Sequence, residues 1–72
     1  MTRKKIILID DDYDIHDLIR HTLSKDFDLS YAEYLNEGES LIKKNQFDLV
    51  ILDETLPDGR GSELCHKIKN DL

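Results

Sequence analysis

The sequence predicts a parallel α/β fold of element order β-α-β-α-β-α, and three observations predict it. Two short, unbroken apolar runs, Ile6-Ile7-Leu8-Ile9 and Leu49-Val50-Ile51-Leu52, stand apart in the chain. Each ends directly on an aspartate, Asp10 and Asp53. Helix-period segments lie between and after them. Runs of this length and β-branched content read as strands covered on both faces, the habit of parallel sheets flanked by helices. Alternation of such strands with helical segments is the pattern of crossover connections.

The elements follow in order. Arg3, Lys4 and Lys5 read as a solvated lead-in to the first strand. Tyr13 to Ser24 carries Ile15, Leu18, Ile19, Thr22 and Leu23 at the spacing of one helical face. Asp12 or Asp14 can cap its start. Phe27-Asp28-Leu29-Ser30-Tyr31 alternates strictly and predicts a second strand with one wetter face. Asn36 to about Lys44 predicts a short helix with Leu41 and Ile42 inward. Asn36 with Glu39 has the spacing of a capping box, and Leu35 the place of a hydrophobic staple. After the run at Leu49–Leu52, residues Glu54 to Gly61, with Pro57 and Asp58-Gly59, predict a loop. Ser62 then caps a last helix expected to turn Leu64, Cys65 and Ile68 toward the core.

Composition narrows the function classes. At 72 residues the chain has room for one small domain, which buries only about 60% of its unfolded surface. Apolar residues make up 39% and charged residues 36%, as in a globular piece rather than a disordered tail. Sixteen acids against ten bases leave a net charge of −6, which argues against a nucleic-acid groove. No apolar run approaches the roughly 20 residues of a membrane span, and Ile6–Ile9 is too short for a signal-peptide core. The single cysteine, Cys65, allows no internal disulfide and no multi-cysteine zinc site. A cytoplasmic location is the expectation.

The chemistry concentrates at the strand ends. Parallel strands share a carboxyl edge, and ligands of open α/β sheets bind there. If the first and third strands are neighbours, Asp10, Asp11 and Asp53 meet at that edge. Two unit charges 4 Å apart repel by roughly 4 kcal/mol at an effective dielectric near 20. Raised pKa values or a divalent cation must offset this, and an all-oxygen donor set suits Mg²⁺. A carboxylate so placed is also a nucleophile toward phosphorus. Taken alone, Asp10-Asp11-Asp12 with Asp14 reads more readily as a solvated turn and helix cap than as a site. The matching aspartate on a second strand moves the reading toward a site.

These residues resemble the receiver domain of two-component response regulators. The resemblance rests on Ile7-Leu8-Ile9-Asp10-Asp11-Asp12 and on Asp48-Leu49-Val50-Ile51-Leu52-Asp53-Glu54-Thr55-Leu56-Pro57-Asp58-Gly59-Arg60-Gly61. Pro57 and Gly61 stand four and eight residues after Asp53, the family's offsets. The resemblance implies a flavodoxin-like fold with parallel strand order 2-1-3 over this stretch. It implies that Asp53 accepts phosphoryl from the phosphohistidine of a sensor histidine kinase or phosphotransfer protein. It implies Mg²⁺ held directly by Asp11 and Asp53, by Asp10 mostly through water, and by the backbone carbonyl of Thr55, with Pro57 and Gly61 shaping the adjoining loop. A complete receiver runs to roughly 120 residues, within the ordinary domain range. Residues 1–72 are therefore expected to form a truncated receiver, a partial fold without strands four and five. The family's switch Ser/Thr and phosphate-binding Lys have no counterpart; Lys67 and Lys69 lie on the last helix. Phosphorylation is accordingly expected to be slow or unstable. The bare third strand is expected to drive self-association.

Other residues carry weaker signals. His16 and His21 on the first helix could carry phosphoryl, but no partner pattern accompanies them, and surface or edge placement is the expectation. Cys65-His66 is not a zinc site, and Cys65 is expected to be a small core residue. Tyr13 is expected to pack at the helix start, and Arg60 to be exposed. The leading reading is a phosphoacceptor signalling module that is not an enzyme in the usual sense. A degenerate receiver acting only in protein interaction or dimerisation is the alternative, and Mg²⁺ binding discriminates the two. A phosphohydrolase of the haloacid-dehalogenase type ranks last, because it wants a second aspartate where Thr55 stands.

Overall fold

The structure, a computed structural model, describes residues 3–71. Met1, Thr2 and Leu72 lie outside the described residues. The elements are β1 (Lys4–Ile9), α1 (Tyr13–Leu23), β2 (Phe27–Ala32), α2 (Leu35–Lys44), β3 (Leu49–Leu52), β4 (Thr55–Leu56), β5 (Gly59–Arg60) and α3 (Gly61–Asp71). β1, β2 and β3 form a parallel sheet of order β2-β1-β3, as the resemblance implies.

β1 is the central strand, and its apolar run explains why. Ile6, Ile7, Leu8 and Ile9 are all buried, at 0–3% exposure, so both faces of this strand are covered. On one face Ile7 and Ile9 join Ala32, Leu56 and Leu64, with Leu41 and Ile42 of α2 and Ile68 of α3 packed around them. On the other face α1 packs along β2. β3 departs from the expected double burial. Leu49 is 52% exposed and Val50, Ile51 and Leu52 are half-buried. The reason is position: among the described residues β3 has β1 on one side and no strand on the other.

The helix faces are narrower than the spacing suggested. In α1 the half-buried apolar side chains are Ile15, Ile19 and Leu23, an i, i+4, i+8 stripe, whereas Leu18 is 60% exposed and Thr22 faces solvent. Asp12, not Asp14, is the N-cap, its carboxylate accepting from the Asp14 amide at 2.9 Å. In α3, Leu64 is buried and Ile68 half-buried, but Cys65 is exposed, one position off the inward stripe. The expected core role of Cys65 is thus corrected.

The capping assignments also change. The N-cap of α2 is Tyr34, which makes no side-chain cap bond, so the Asn36–Glu39 box does not form. Asp58, from the distant hairpin, accepts instead from the amides of Leu35 (2.8 Å) and Asn36 (3.0 Å). These two amides hold the Asp58 carboxyl below its ordinary value, Asn36 contributing most. The stretch read as a loop contains a small antiparallel ladder, β4 with β5, turning through Pro57-Asp58 and Gly59, whose φ is +149°. Only glycine adopts that backbone readily. α3 begins at Gly61, one residue before Ser62, and Glu54 receives both the Ser62 amide (2.7 Å) and its hydroxyl (3.0 Å).

Candidate functional site

The sheet register determines the site. Ile9 of β1 pairs with Ala32 on one side and Leu52 on the other, so β1 and β3 end level. The next residue on each is an aspartate. The ladder hydrogen bonds continue into both: Asp10 N–H donates to the Ala32 carbonyl and Asp53 N–H to the Ile9 carbonyl, each at 3.0 Å. Backbone pairing therefore carries Asp10 and Asp53 to the same rim, and Asp11 follows at the turn.

A carboxylate oxygen from each of Asp10, Asp11 and Asp53 lies within 4.8 Å of the others. Asp10 and Asp53 are half-buried and Asp11 is exposed. At that spacing each pair of charges repels by about 1 kcal/mol in water and about 3–4 kcal/mol at a protein-surface dielectric. No basic side chain bonds to any of the three among the described residues. The donor set is three hard oxygens, which fits a hard dication and not a soft one.

The acidic turn is held by its own backbone. Asp10 Oδ1 accepts from the Asp12 amide at 2.9 Å, and the Asp12 carbonyl accepts from the Ile15 and His16 amides at 3.2 Å. On the other side, Thr55 N–H lies 3.5 Å from Asp53 Oδ1. Thr55 and Pro57 are exposed at β4 and the hairpin turn. Gly61 is buried against the backbone of Asp53: a Cβ there would sit 2.2 Å from the Asp53 carbonyl oxygen. The Gly61 amide donates to the Glu54 carbonyl at 2.9 Å, which ties the start of α3 beneath the site.

Several residues fall elsewhere. Lys67 pairs with Glu39 of α2 at 3.2 Å, and Lys43 pairs with the same carboxylate at 3.1 Å. His21 and Arg60 are exposed, and His66 contacts Asn70 within α3. Tyr13 packs edge-on against His16 at the helix start, yet it stays 64% exposed, and its hydroxyl donates to Glu33. That bond, followed by the Glu33 charge, raises the Tyr13 pKa. His16 departs most from expectation. It is half-buried, its ring stacks on Tyr31, and its Nε2 contacts the Asp10 carbonyl. No sequence spacing signals that contact, because it depends on how α1 leans over β2.

Comparison with known proteins bears on the family and the fold. The family model for the response regulator receiver domain matches residues 6–72. The response regulator protein PilR of Pseudomonas aeruginosa is 36% identical over 70 residues, which cover 96% of this chain and 16% of PilR. The non-phosphorylated HemR receiver domain from Leptospira biflexa matches with a TM-score of 0.85 and 35% identity, covering 96% of this chain and 57% of HemR's. The BeF3-activated N-terminal receiver domain of Klebsiella pneumoniae RstA matches with a TM-score of 0.87 and 31% identity, over 96% of this chain and 60% of that one. The chain thus spans a small part of the curated relative and just over half of the solved receivers. One expectation is corrected. The matches are to a receiver domain and carry no statement that catalysis is lacking, so the reading of the chain as not an enzyme does not stand.

Proposed function

This chain belongs to the response regulator receiver family, and from that premise we propose that it is a phosphoacceptor module with Asp53 as the acceptor. One observation carries the reading: backbone pairing brings Asp53 level with Asp10 and Asp11, their oxygens within 4.8 Å. Asp10, Asp11, Asp53 and the Thr55 carbonyl would hold Mg²⁺. When bound, that ion supplies positive charge against both the carboxylates and the incoming phosphoryl oxygens. The chain's own residues do the rest. An Asp53 carboxylate oxygen forms the bond to phosphorus while the P–N bond of a phosphohistidine donor breaks, and the departing imidazole takes up a proton. The β4–β5 hairpin, with Pro57, and the close approach of Gly61 keep Asp53 in line for that attack. The partner is a sensor histidine kinase or a phosphotransfer protein. Trifluoroberyllate has the size and charge of a phosphoryl group, and its use on the RstA relative supports the reading.

The test is intact-protein mass after incubation with Mg²⁺ and a small-molecule phosphodonor. One phosphoryl added to the wild type, and none to D53N, is expected. Equal uptake by D53N would overturn the assignment.

A second reading, an interaction module, is favoured by one observation: Leu49 is 52% exposed on a strand with one free edge among the described residues. Such an edge pairs readily with another strand. The 72-residue chain is expected to self-associate through β3, read by sedimentation velocity across a concentration series. A single monomeric species at the highest concentration contradicts this. Mg²⁺-independent dimers without phosphoryl uptake favour the interaction reading over the first.

A further inference from the structure

We propose that His16 is a positioning residue of the acidic site, holding the Asp10 peptide so that Asp10 and Asp11 face Asp53. The proposal rests on the Mg²⁺ reading above and deepens it.

The Asp10 carbonyl lies just past the β1 ladder. The Ile9 carbonyl is taken by the Asp53 amide, and the Asp10 amide by Ala32. The oxygen of Asp10 itself therefore falls beyond the strand pairing. His16 Nε2 meets it at 2.5 Å. A carbonyl oxygen only accepts, so Nε2 carries the hydrogen and donates. This bond fixes the orientation of the peptide joining Asp10 to Asp11, the two neighbouring carboxylate bearers.

The donor is itself held in place. The His16 ring stacks on Tyr31 of β2 with centroids 5.2 Å apart and planes 24° apart. Tyr13 meets it edge-on at 5.8 Å and 66°. Tyr13 is tied in turn to Glu33 by its hydroxyl. The backbone of His16 is anchored as well, its amide donating to the Asp12 carbonyl at 3.2 Å. Ring and backbone thus brace the acidic turn from both ends. Outer partners of this kind orient metal-binding carboxylates and affect affinity without touching the ion.

Three variants separate the hydrogen bond from the stacking. H16F keeps an aromatic ring on Tyr31 and loses the donor. H16Q places an amide N–H near the Nε2 position, and H16N places it nearer Nδ1. Mg²⁺ affinity is measured by isothermal titration on the intact chain, with circular dichroism to verify folding. H16F and H16N are expected to weaken Mg²⁺ binding about tenfold, and H16Q to stay within about twofold of wild type. In the wild type, a long-range ¹H–¹⁵N spectrum is expected to show His16 protonated at Nε2. Unchanged affinity in H16F overturns the proposal. Equal loss in all three variants also overturns it, since the ring's packing would then be what matters. A wild type that takes up no Mg²⁺ overturns the cation reading first and this role with it, an outcome distinct from the other two.

Discussion

Replacing Gly61 with alanine tests how tightly the start of α3 is fastened to Asp53. Two effects oppose each other. Alanine is a better helix former than glycine by about 1 kcal/mol in a helix interior, and less at a first-turn position. Against this, the new Cβ would lie 2.2 Å from the Asp53 carbonyl oxygen, 2.9 Å from Leu52 Cγ and 3.0 Å from the Asp53 carbonyl carbon. Two of these three atoms are backbone, so no rotamer change relieves the clash. The helix start and the end of β3 must separate by about 1 Å to restore ordinary contact. That shift strains the Gly61–Glu54 and Asp53–Ile9 hydrogen bonds, now 2.9 and 3.0 Å. Overpacking of this kind costs about 1–3 kcal/mol, so the clash outweighs the propensity gain. Urea unfolding followed by circular dichroism should show G61A less stable by about 1–2 kcal/mol. The same displacement moves Asp53 away from Asp10 and Asp11, so Mg²⁺ affinity should fall in parallel. An alanine variant as stable as wild type, with unchanged Mg²⁺ binding, refutes the claim that Gly61 is required by close approach.

Two pH-dependent predictions follow from the shifted groups. Asp58 is held below its ordinary 3.8 by the Asn36 and Leu35 amides, so its stabilising effect is present above pH 3.8 and fades as pH falls through the lowered folded value. The melting temperature of wild type should exceed that of D58A at neutral pH, and the gap should close in acid; a gap unchanged at about pH 2 contradicts the cap. Tyr13 is raised above 10.0 by its bond to Glu33, so its contribution is full below pH 10 and lost as pH climbs through the raised value. Y13F should flatten the alkaline arm of the stability curve, and an identical arm in both proteins argues against the Tyr13–Glu33 bond.

Much of this architecture is legible in the residues because its cause is local. Ile6–Ile9 is apolar without a break, and burial on both faces of β1 follows. The aspartates after Ile9 and Leu52 fall together because parallel strands end level, a consequence of register that needs no side-chain detail. What escaped the sequence depends on tertiary placement. The cap of α2 comes from Asp58, 22 and 23 residues away from the amides it accepts. A helix-start pattern finds only neighbours within a turn, so Asn36 and Glu39 looked sufficient. Cys65 and Leu18 share the period of the buried stripes, yet each sits at the margin where a small rotation of the helix decides exposure. His16 looked like a surface residue because nothing in an i+6 spacing from Asp10 signals that the ring folds back onto that carbonyl. The hairpin at Thr55–Arg60 is only two residues per strand, too short for alternation to register.

The central claim is that Asp10, Asp11 and Asp53 together make a seat for a hard dication. Titration of the ¹⁵N-labelled chain with Mg²⁺, followed amide by amide, tests it most directly. Saturable shifts confined to the β1–α1 turn and the Asp53–Thr55 segment, lost in D11N and D53N, are the predicted result. Shifts that rise linearly without saturation, or that centre on other acidic residues such as Glu39, would contradict it.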